Sequence, residues 1–137
     1  MISFLLSLRQ GYRMAFLIVY ISCIMALSLL PPSDLPHVKV FEGFDKVVHF
    51  LMYFPLAILL CWNLRADKHP KRIYLAIIFA VGLGIYMEFM QLTMHLGRSF
   101  SWYDELANLA GSLFGACMFG IAMKKFSKPF TKNEKSR

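Results

Sequence analysis

Side chains that could do chemistry crowd into the stretch between residues 88 and 108. Carboxylates, amides, a histidine and an arginine lie here between two apolar runs, and Asp104 and Asn108 are one helical turn apart. An ionisable residue inside an apolar run is costly unless it faces protein or water and has a partner. Carboxylate and imidazole groups can move protons, and the fork of an arginine can hold a phosphate. This stretch is therefore the first candidate for a functional site.

An earlier run of the sequence, beginning near residue 44, adds a second group of polar side chains. Asp45, His49 and Tyr53 recur at every fourth position, so they share one face of a helix. We expect Asp45 to cap the start of that helix, and Asp104 to cap the start of the helix that follows residue 100. Taken alone, this pattern also fits a simple cap followed by a hydrogen-bonded interior histidine.

A third group lies at the end of the apolar run before residue 97. Glu88, Gln91 and His95 are spaced three and four residues apart, so they lie on one face of a helix. A carboxylate inside an apolar slab must be protonated, paired or hydrated. Two interpretations follow: the polar face is part of a binding or catalytic site, or it is a structural clasp that holds the helices together.

Composition and length define the elements that position these groups. Hydrophobic residues make up 58% of the 137 positions, against about 45–50% in ordinary soluble domains. Four runs reach the roughly 20 residues that cross a hydrocarbon core; they are 14–30, 47–64, 73–96 and 104–123. The sequence therefore predicts an all-α, polytopic membrane protein with four transmembrane helices.

The distribution of cations predicts the orientation of these helices. Twelve of the fifteen Lys and Arg residues fall on the side of the two termini, so the positive-inside rule places both termini in the cytoplasm. The net charge of +7 is then a topology signal, and we expect no nucleic-acid partner. We expect residues 1–13 to form an interfacial helix, with Arg9 and Arg13 at the lipid head groups. Residues 14–124 are expected to form the transmembrane domain, and residues 125–137 a basic cytoplasmic tail.

The polar residues of three predicted spans all fall at the outer ends, whereas the inner halves contain almost no polar side chains. The outer set comprises Asp45, Lys46, His49, Glu88, Gln91, His95, Arg98, Asp104 and Asn108. A bundle that needed only structural contacts could place them at any depth, so this asymmetry favours a site open to the outer face. Gly111 and Gly115 have the small-xxx-small spacing of helix packing, and Gly82 and Gly84 also predict close helix approach.

The order of the motifs resembles the VanZ-like family of bacterial membrane proteins. SLLP precedes DKVVHF, E-x-x-Q follows, and then comes GR-S-F-S-x-x-D-x-x-x-N-x-x-G-x-x-x-G, over residues 28–115. The family pattern singles out Asp45, Lys46, His49, Phe50, Glu88, Gln91, Gly97, Arg98, Asp104, Asn108, Gly111 and Gly115. Leu96 stands where many relatives have proline. The resemblance implies a protein of the bacterial cytoplasmic membrane and envelope, with a named relative that confers resistance to the glycopeptide teicoplanin.

The first functional hypothesis is binding without catalysis. Arg98, with Lys46 and His49, would hold the anionic head group of a membrane lipid or envelope precursor, while Glu88 and Asp104 orient the cations. The ligand-binding set is then Asp45, Lys46, His49, Glu88, Gln91, Arg98, Asp104 and Asn108. Such a protein would change how a lipophilic glycopeptide reaches the envelope.

Two further hypotheses use the same residues differently. In a membrane enzyme acting on a lipid-linked phosphate or sugar, His49 or Glu88 would be the general acid or base beside Asp104, and Arg98 would stabilise developing charge. In a proton-linked transporter, Glu88 and His49 would relay protons, and four short spans would need a homo-oligomer to form a path. The sequence shows no metal-ligand spacing, so we expect neither a metal ion nor a cofactor.

Overall fold

The computed structural model describes residues 8–29, 43–64, 69–94 and 101–126, and within these ranges it contains helices and no strand. The helices are α1 (Gln10–Leu29), α2 (Phe44–Asn63), α3 (His69–Thr93) and α4 (Trp102–Phe126). Each of the four is long and apolar enough to cross a membrane, with a mean hydropathy of 1.6–2.0 over its most apolar part. The predicted all-α architecture of four spans is confirmed.

Large apolar side chains cover the outside of the bundle. Phe16, Ile78, Phe89 and Phe114 are each more than half exposed, which would be costly in water but suits contact with lipid chains. The interior is filled by smaller groups packed around a fully buried tyrosine; its main members are Tyr53, Leu56, Ala57, Cys61, Ala76, Ala80 and Ala116. Small interior residues let the helices approach closely, as is usual for helix packing in membranes.

The most extensive helix contact joins α2 and α4, and two glycines of α4 lie against the backbone of α2. A Cβ atom added to Gly111 would lie 3.1 Å from the carbonyl carbon of Phe50, and one added to Gly115 would lie 3.0 Å from that of Phe54. The carbonyl oxygens would be closer still. Because the obstacle is backbone, no side-chain movement relieves it. The two glycines therefore fix the distance between α2 and α4.

The starts of α2 and α4 differ from the sequence prediction. Gly43, with a left-handed φ of 87°, occupies the cap position of α2 without any side-chain cap, and Asp45 instead pairs with Lys46. At α4 the hydroxyl of Ser101 accepts a hydrogen bond from the backbone N–H of Asp104 at 3.3 Å. The prediction of Asp45 and Asp104 as caps was wrong. Both carboxylates point to other partners because a neighbouring residue takes the cap.

Replacing Ser101 with alanine is expected to destabilise the protein by about 1 kcal/mol, because the Asp104 N–H loses its cap acceptor. Ser101→Thr, which retains a hydroxyl, is the matched control. Its free energy of unfolding should differ from the native value by only a few tenths of a kcal/mol. Reversible unfolding in mixed micelles measures both values. Equal stability of Ser101→Ala and the native protein would contradict a capping role.

A second polar cluster lies at the opposite end of the bundle, where α1 begins and α2 ends. The guanidinium of Arg13 donates to the Trp62 carbonyl oxygen at 3.1 Å and to Oε1 of Gln10 at 2.6 Å. Nδ2 of Asn63 donates to the Arg13 carbonyl oxygen at 3.2 Å, and the Arg13 guanidinium lies 5.7 Å from the centre of the Trp62 ring. Arg13 thus contacts protein where the sequence suggested head groups, and polar side chains occur at both ends.

Candidate functional site

The candidate site lies at one end of the bundle, where α1 and α3 finish and α2 and α4 begin. We call it the polar end. The described residues that meet there are Asp45, Lys46, His49, Glu88, Gln91, Asp104, Glu105 and Asn108. All but Glu105 belong to the set predicted from the sequence. Arg98, His95 and Gly97 were predicted with them but lie outside the described residues.

His49 is held in a defined orientation by α4. Its Nδ1 lies 3.1 Å from Oδ1 of Asn108, and Nδ2 of Asn108 donates to Oε2 of Glu105 at 3.1 Å. Because the Glu105 carboxylate accepts from the amide nitrogen, the amide oxygen is left to accept from His49, so Nδ1 carries the proton. In the neutral ring, Nε2 is then an unprotonated acceptor. It faces Asp104, with Nε2 3.9 Å from Oδ2.

Glu88 joins the end of α3 to the start of α4. Its side chain is 2% exposed, and Oε2 accepts a hydrogen bond from the backbone N–H of Ser101 at 3.0 Å. A carboxylate acceptor is favoured at this position because the first N–H groups of a helix have no partner within the helix. Glu88 therefore ties two helices together and also presents a charged group to the polar end.

Asp104 and Lys46 lie nearer the opening of the site. Nζ of Lys46 lies 3.4 Å from Oδ1 of Asp104 and also contacts Asp45. Oδ1 of Asp104 is buried, and Lys46 is its ion-pair partner among the described residues. The side chain of Lys46 is 40% exposed and that of Asp104 is 16% exposed. These two groups are accessible from the end of the bundle, whereas Glu88 lies behind them.

Gln91 lies close to the cluster in sequence but has a separate partner. It is 4% exposed, and its Nε2 donates to the carbonyl oxygen of Ser28 in α1 at 2.7 Å. This hydrogen bond fastens the end of α1 to α3. Like Glu88, Gln91 thus makes a contact that links two helices.

Glu105 was missed as a site residue. It is 8% exposed, it accepts from Asn108, and its Oε1 is buried without a hydrogen-bond partner in the described part of the chain. The carboxylate lies directly over Gly84 of α3, where any added Cβ would meet it. The i, i+3 spacing of Glu105 and Asn108, together with a glycine on a facing span, was the signal available in the sequence.

The described residues of the polar end lie within a region that matches a known protein family. A family model described as VanZ/LLP1 matches residues 16–123, most of the chain and every described residue of the polar end. The chain belongs to the VanZ/LLP1 family. No curated protein and no solved structure matches it. Family membership and four apolar helices together identify a multi-pass VanZ-like membrane protein.

The polar end of this VanZ/LLP1 protein can offer both cationic and anionic contacts. Lys46 and the His49 ring supply the cationic or donor groups, while carboxylates surround them. One nitrogen of His49 and one oxygen each of Glu88 and Asp104 lie within 4.8 Å of one another, the spacing of potential metal ligands. These three residues come from three helices, so no spacing within a single helix could have indicated the group.

Proposed function

We propose that this VanZ-like protein binds the anionic head group of a membrane lipid or envelope precursor at its polar end, and thereby lowers bacterial susceptibility to teicoplanin-type glycopeptides. The observation that carries the proposal is the meeting of Lys46, His49, Asp104 and Asn108 at one end of a bundle whose sides are covered by apolar side chains. A polar group can approach a membrane protein of this kind from its ends, and at this end an ammonium, a carboxylate and an imidazole lie together with part of each side chain exposed.

Two features support a head-group ligand over a purely structural clasp. The Lys46 side chain is 40% exposed and that of His49 is 15% exposed, so part of each side chain remains accessible to a ligand. The opposite end already shows what a clasp looks like in this protein, with Arg13 and Asn63 bonded to backbone carbonyl oxygens. At the polar end, by contrast, the contacts join charged side chains: Lys46 lies between Asp45 and Asp104, and His49 faces Asp104.

Orientation links the site to the envelope. The excess of Lys and Arg near the termini favours cytoplasmic termini. The polar end, where α1 finishes, would then lie at the outer face. Lipid-linked precursors and lipophilic glycopeptides meet at that face. Arg98, four residues before Trp102 in the sequence, would add the planar fork that suits a phosphate.

Expression of the protein in a Gram-positive host is expected to raise the inhibitory concentration of teicoplanin several-fold while leaving that of vancomycin unchanged. Arg98→Ala and Glu88→Gln should each remove the effect at matched membrane levels, since one loses a phosphate contact and the other a buried charge. Arg9→Ala, the same kind of change at the other end of the chain, is the control and should retain it. Unchanged teicoplanin susceptibility with a well-expressed native protein would overturn the proposal.

A second candidate function is enzymatic, and the orientation of His49 favours it. Asn108 fixes the tautomer in which Nε2 is free to accept a proton, which is the requirement for a general base. The substrate would be a lipid-linked phosphate or sugar. Mass spectrometry of envelope lipids separates the two candidates: a covalently altered lipid that depends on His49 indicates an enzyme, and a co-purifying but unaltered lipid indicates a binder.

A further inference from the structure

We propose that His49, Glu88 and Asp104 form a binding site for a divalent transition-metal ion, with Zn²⁺ the preferred ion. One nitrogen and two carboxylate oxygens, each from a different helix, lie within 4.8 Å of one another. Three protein ligands that leave one position open are the usual arrangement of a zinc site that also binds water or another ligand. The site goes beyond the proposed function and does not depend on it.

The hydrogen bonds around His49 prepare it as a ligand. A metal-binding histidine normally donates its other ring N–H to a fixed acceptor, which sets the tautomer and the direction of the ring. Here Asn108 supplies the acceptor, and Glu105 fixes the Asn108 amide. The lone pair of Nε2 therefore faces the carboxylate of Asp104 at 3.9 Å. That distance is too long for a hydrogen bond, and it lies within about 0.5 Å of the spacing between two ligand atoms of a tetrahedral zinc ion.

Among the described residues, the acidic groups of the polar end outnumber its cationic groups. Its described residues include four carboxylates, those of Asp45, Glu88, Asp104 and Glu105, but a single ammonium, that of Lys46. When all are ionised and His49 is neutral, the formal charge is −3. A buried charge without a partner is strongly unfavourable. Oε1 of Glu105 is buried without a hydrogen-bond partner among the described residues, a separate sign that these residues leave a polar atom of this end unsatisfied.

The donor set selects the kind of ion. Mg²⁺ and Ca²⁺ prefer oxygen ligands throughout, whereas an imidazole nitrogen favours first-row transition metals and zinc. A tetrahedral ion with bonds of about 2.1 Å keeps its ligand atoms roughly 3.4 Å apart. The three side chains need to close by no more than about 1.4 Å per pair to reach that spacing. The partial exposure of Asp104 leaves a route from the end of the bundle for the ion and for a fourth ligand.

Metal binding to the purified full chain tests the proposal. The protein is prepared with a tag that lacks histidine, stripped with chelator, reconstituted in nanodiscs and titrated with Zn²⁺ alone. We expect one Zn²⁺ per chain, with at least a hundredfold weaker binding in His49→Gln and Asp104→Asn. Asn108→Ala, which removes the partner of Nδ1, should weaken binding by about 10- to 100-fold. His69→Gln makes the same kind of change as His49→Gln at the start of α3, at the other end of the bundle, and should change the affinity by less than threefold.

A spectroscopic measurement on the native chain removes any dependence on the folding of the variants. Mn²⁺ bound in place of Zn²⁺ should show pulsed-EPR coupling to one imidazole nitrogen, and that coupling should disappear in His49→Gln. Absence of the coupling in the native chain, absence of stoichiometric Zn²⁺, or an equal loss of affinity in His69→Gln would overturn the metal site. None of these results involves teicoplanin, so failure here and failure of the proposed envelope function are separate outcomes.

Discussion

Replacing Gly115 with alanine is expected to reduce the free energy of unfolding by about 2–3 kcal/mol, the scale of overpacking a well-packed interior. The added Cβ would lie 3.0 Å from the carbonyl carbon of Phe54, closer still to its oxygen, and 3.3 Å from Cβ of Ala57. The helices α2 and α4 must separate to accept it. Since these two helices also carry His49, Asp104 and Asn108, the same change should disturb the polar end. Reversible unfolding of the purified protein in mixed micelles measures the loss.

The matched control for this prediction is Gly82→Ala. Gly82 is also a glycine within a predicted span, but a Cβ added there meets nothing within 4 Å. Alanine is the better helix former by about 1 kcal/mol, so this variant should be as stable as the native chain or slightly more stable. If Gly82→Ala and Gly115→Ala lost stability equally, the close contact between α2 and α4 would not be the cause.

Replacing Glu88 with alanine is expected to cost about 3 kcal/mol of stability. The variant leaves the half-buried N–H of Ser101 without its acceptor, a loss of about 1–3 kcal/mol, and it adds a cavity where a 2% exposed side chain was packed. Glu88→Gln keeps an oxygen that can accept from Ser101, so its stability should lie within about 1 kcal/mol of the native value.

The comparison of the two Glu88 variants separates structure from function. Glu88→Gln should lose the teicoplanin effect and the tight binding of Zn²⁺ while the helices remain folded, because the charge is lost and the hydrogen bond is kept. Unfolding curves measure the stability of the two variants, and susceptibility assays measure their effect on teicoplanin resistance. A Glu88→Gln protein that is as unstable as Glu88→Ala would mean that the carboxylate serves mainly to hold α3 and α4 together.

The four helices could be predicted from the sequence because hydrophobic length alone decides whether a segment can span a membrane. The sequence also predicted that one group of polar residues meets at one end of the bundle, because alternate ends of successive spans lie on the same side. These residues are Asp45, His49, Glu88, Asp104 and Asn108. The structure then shows which of these residues are in contact. Their arrangement at that end matches the expected location of the site, while its outward orientation stays a prediction.

The details that the sequence did not reveal depend on contacts between distant residues. Ser101 and Gly43 take the cap positions, and either choice of cap was locally acceptable. Arg13 bonds to Trp62, 49 residues away, so nothing in its own surroundings distinguished a protein contact from a head-group contact. Glu105 was overlooked because its burial depends on Gly84 of another helix. In each case the residue could be identified in the sequence, but the residue that it contacts could not.

The dominance of the α2–α4 contact has a consequence for the biogenesis of the protein. During synthesis α2 is complete at residue 63, whereas its main partner is complete only at residue 126. At about 5–20 residues per second, roughly 3–13 s separate the two events. Through that interval, the backbone face of α2 that later receives Gly111 and Gly115 must be covered by lipid, by α1 or by an insertion factor. His49 meets Asn108 only when α4 enters the bilayer, so the polar end is assembled only after α4 has been synthesised.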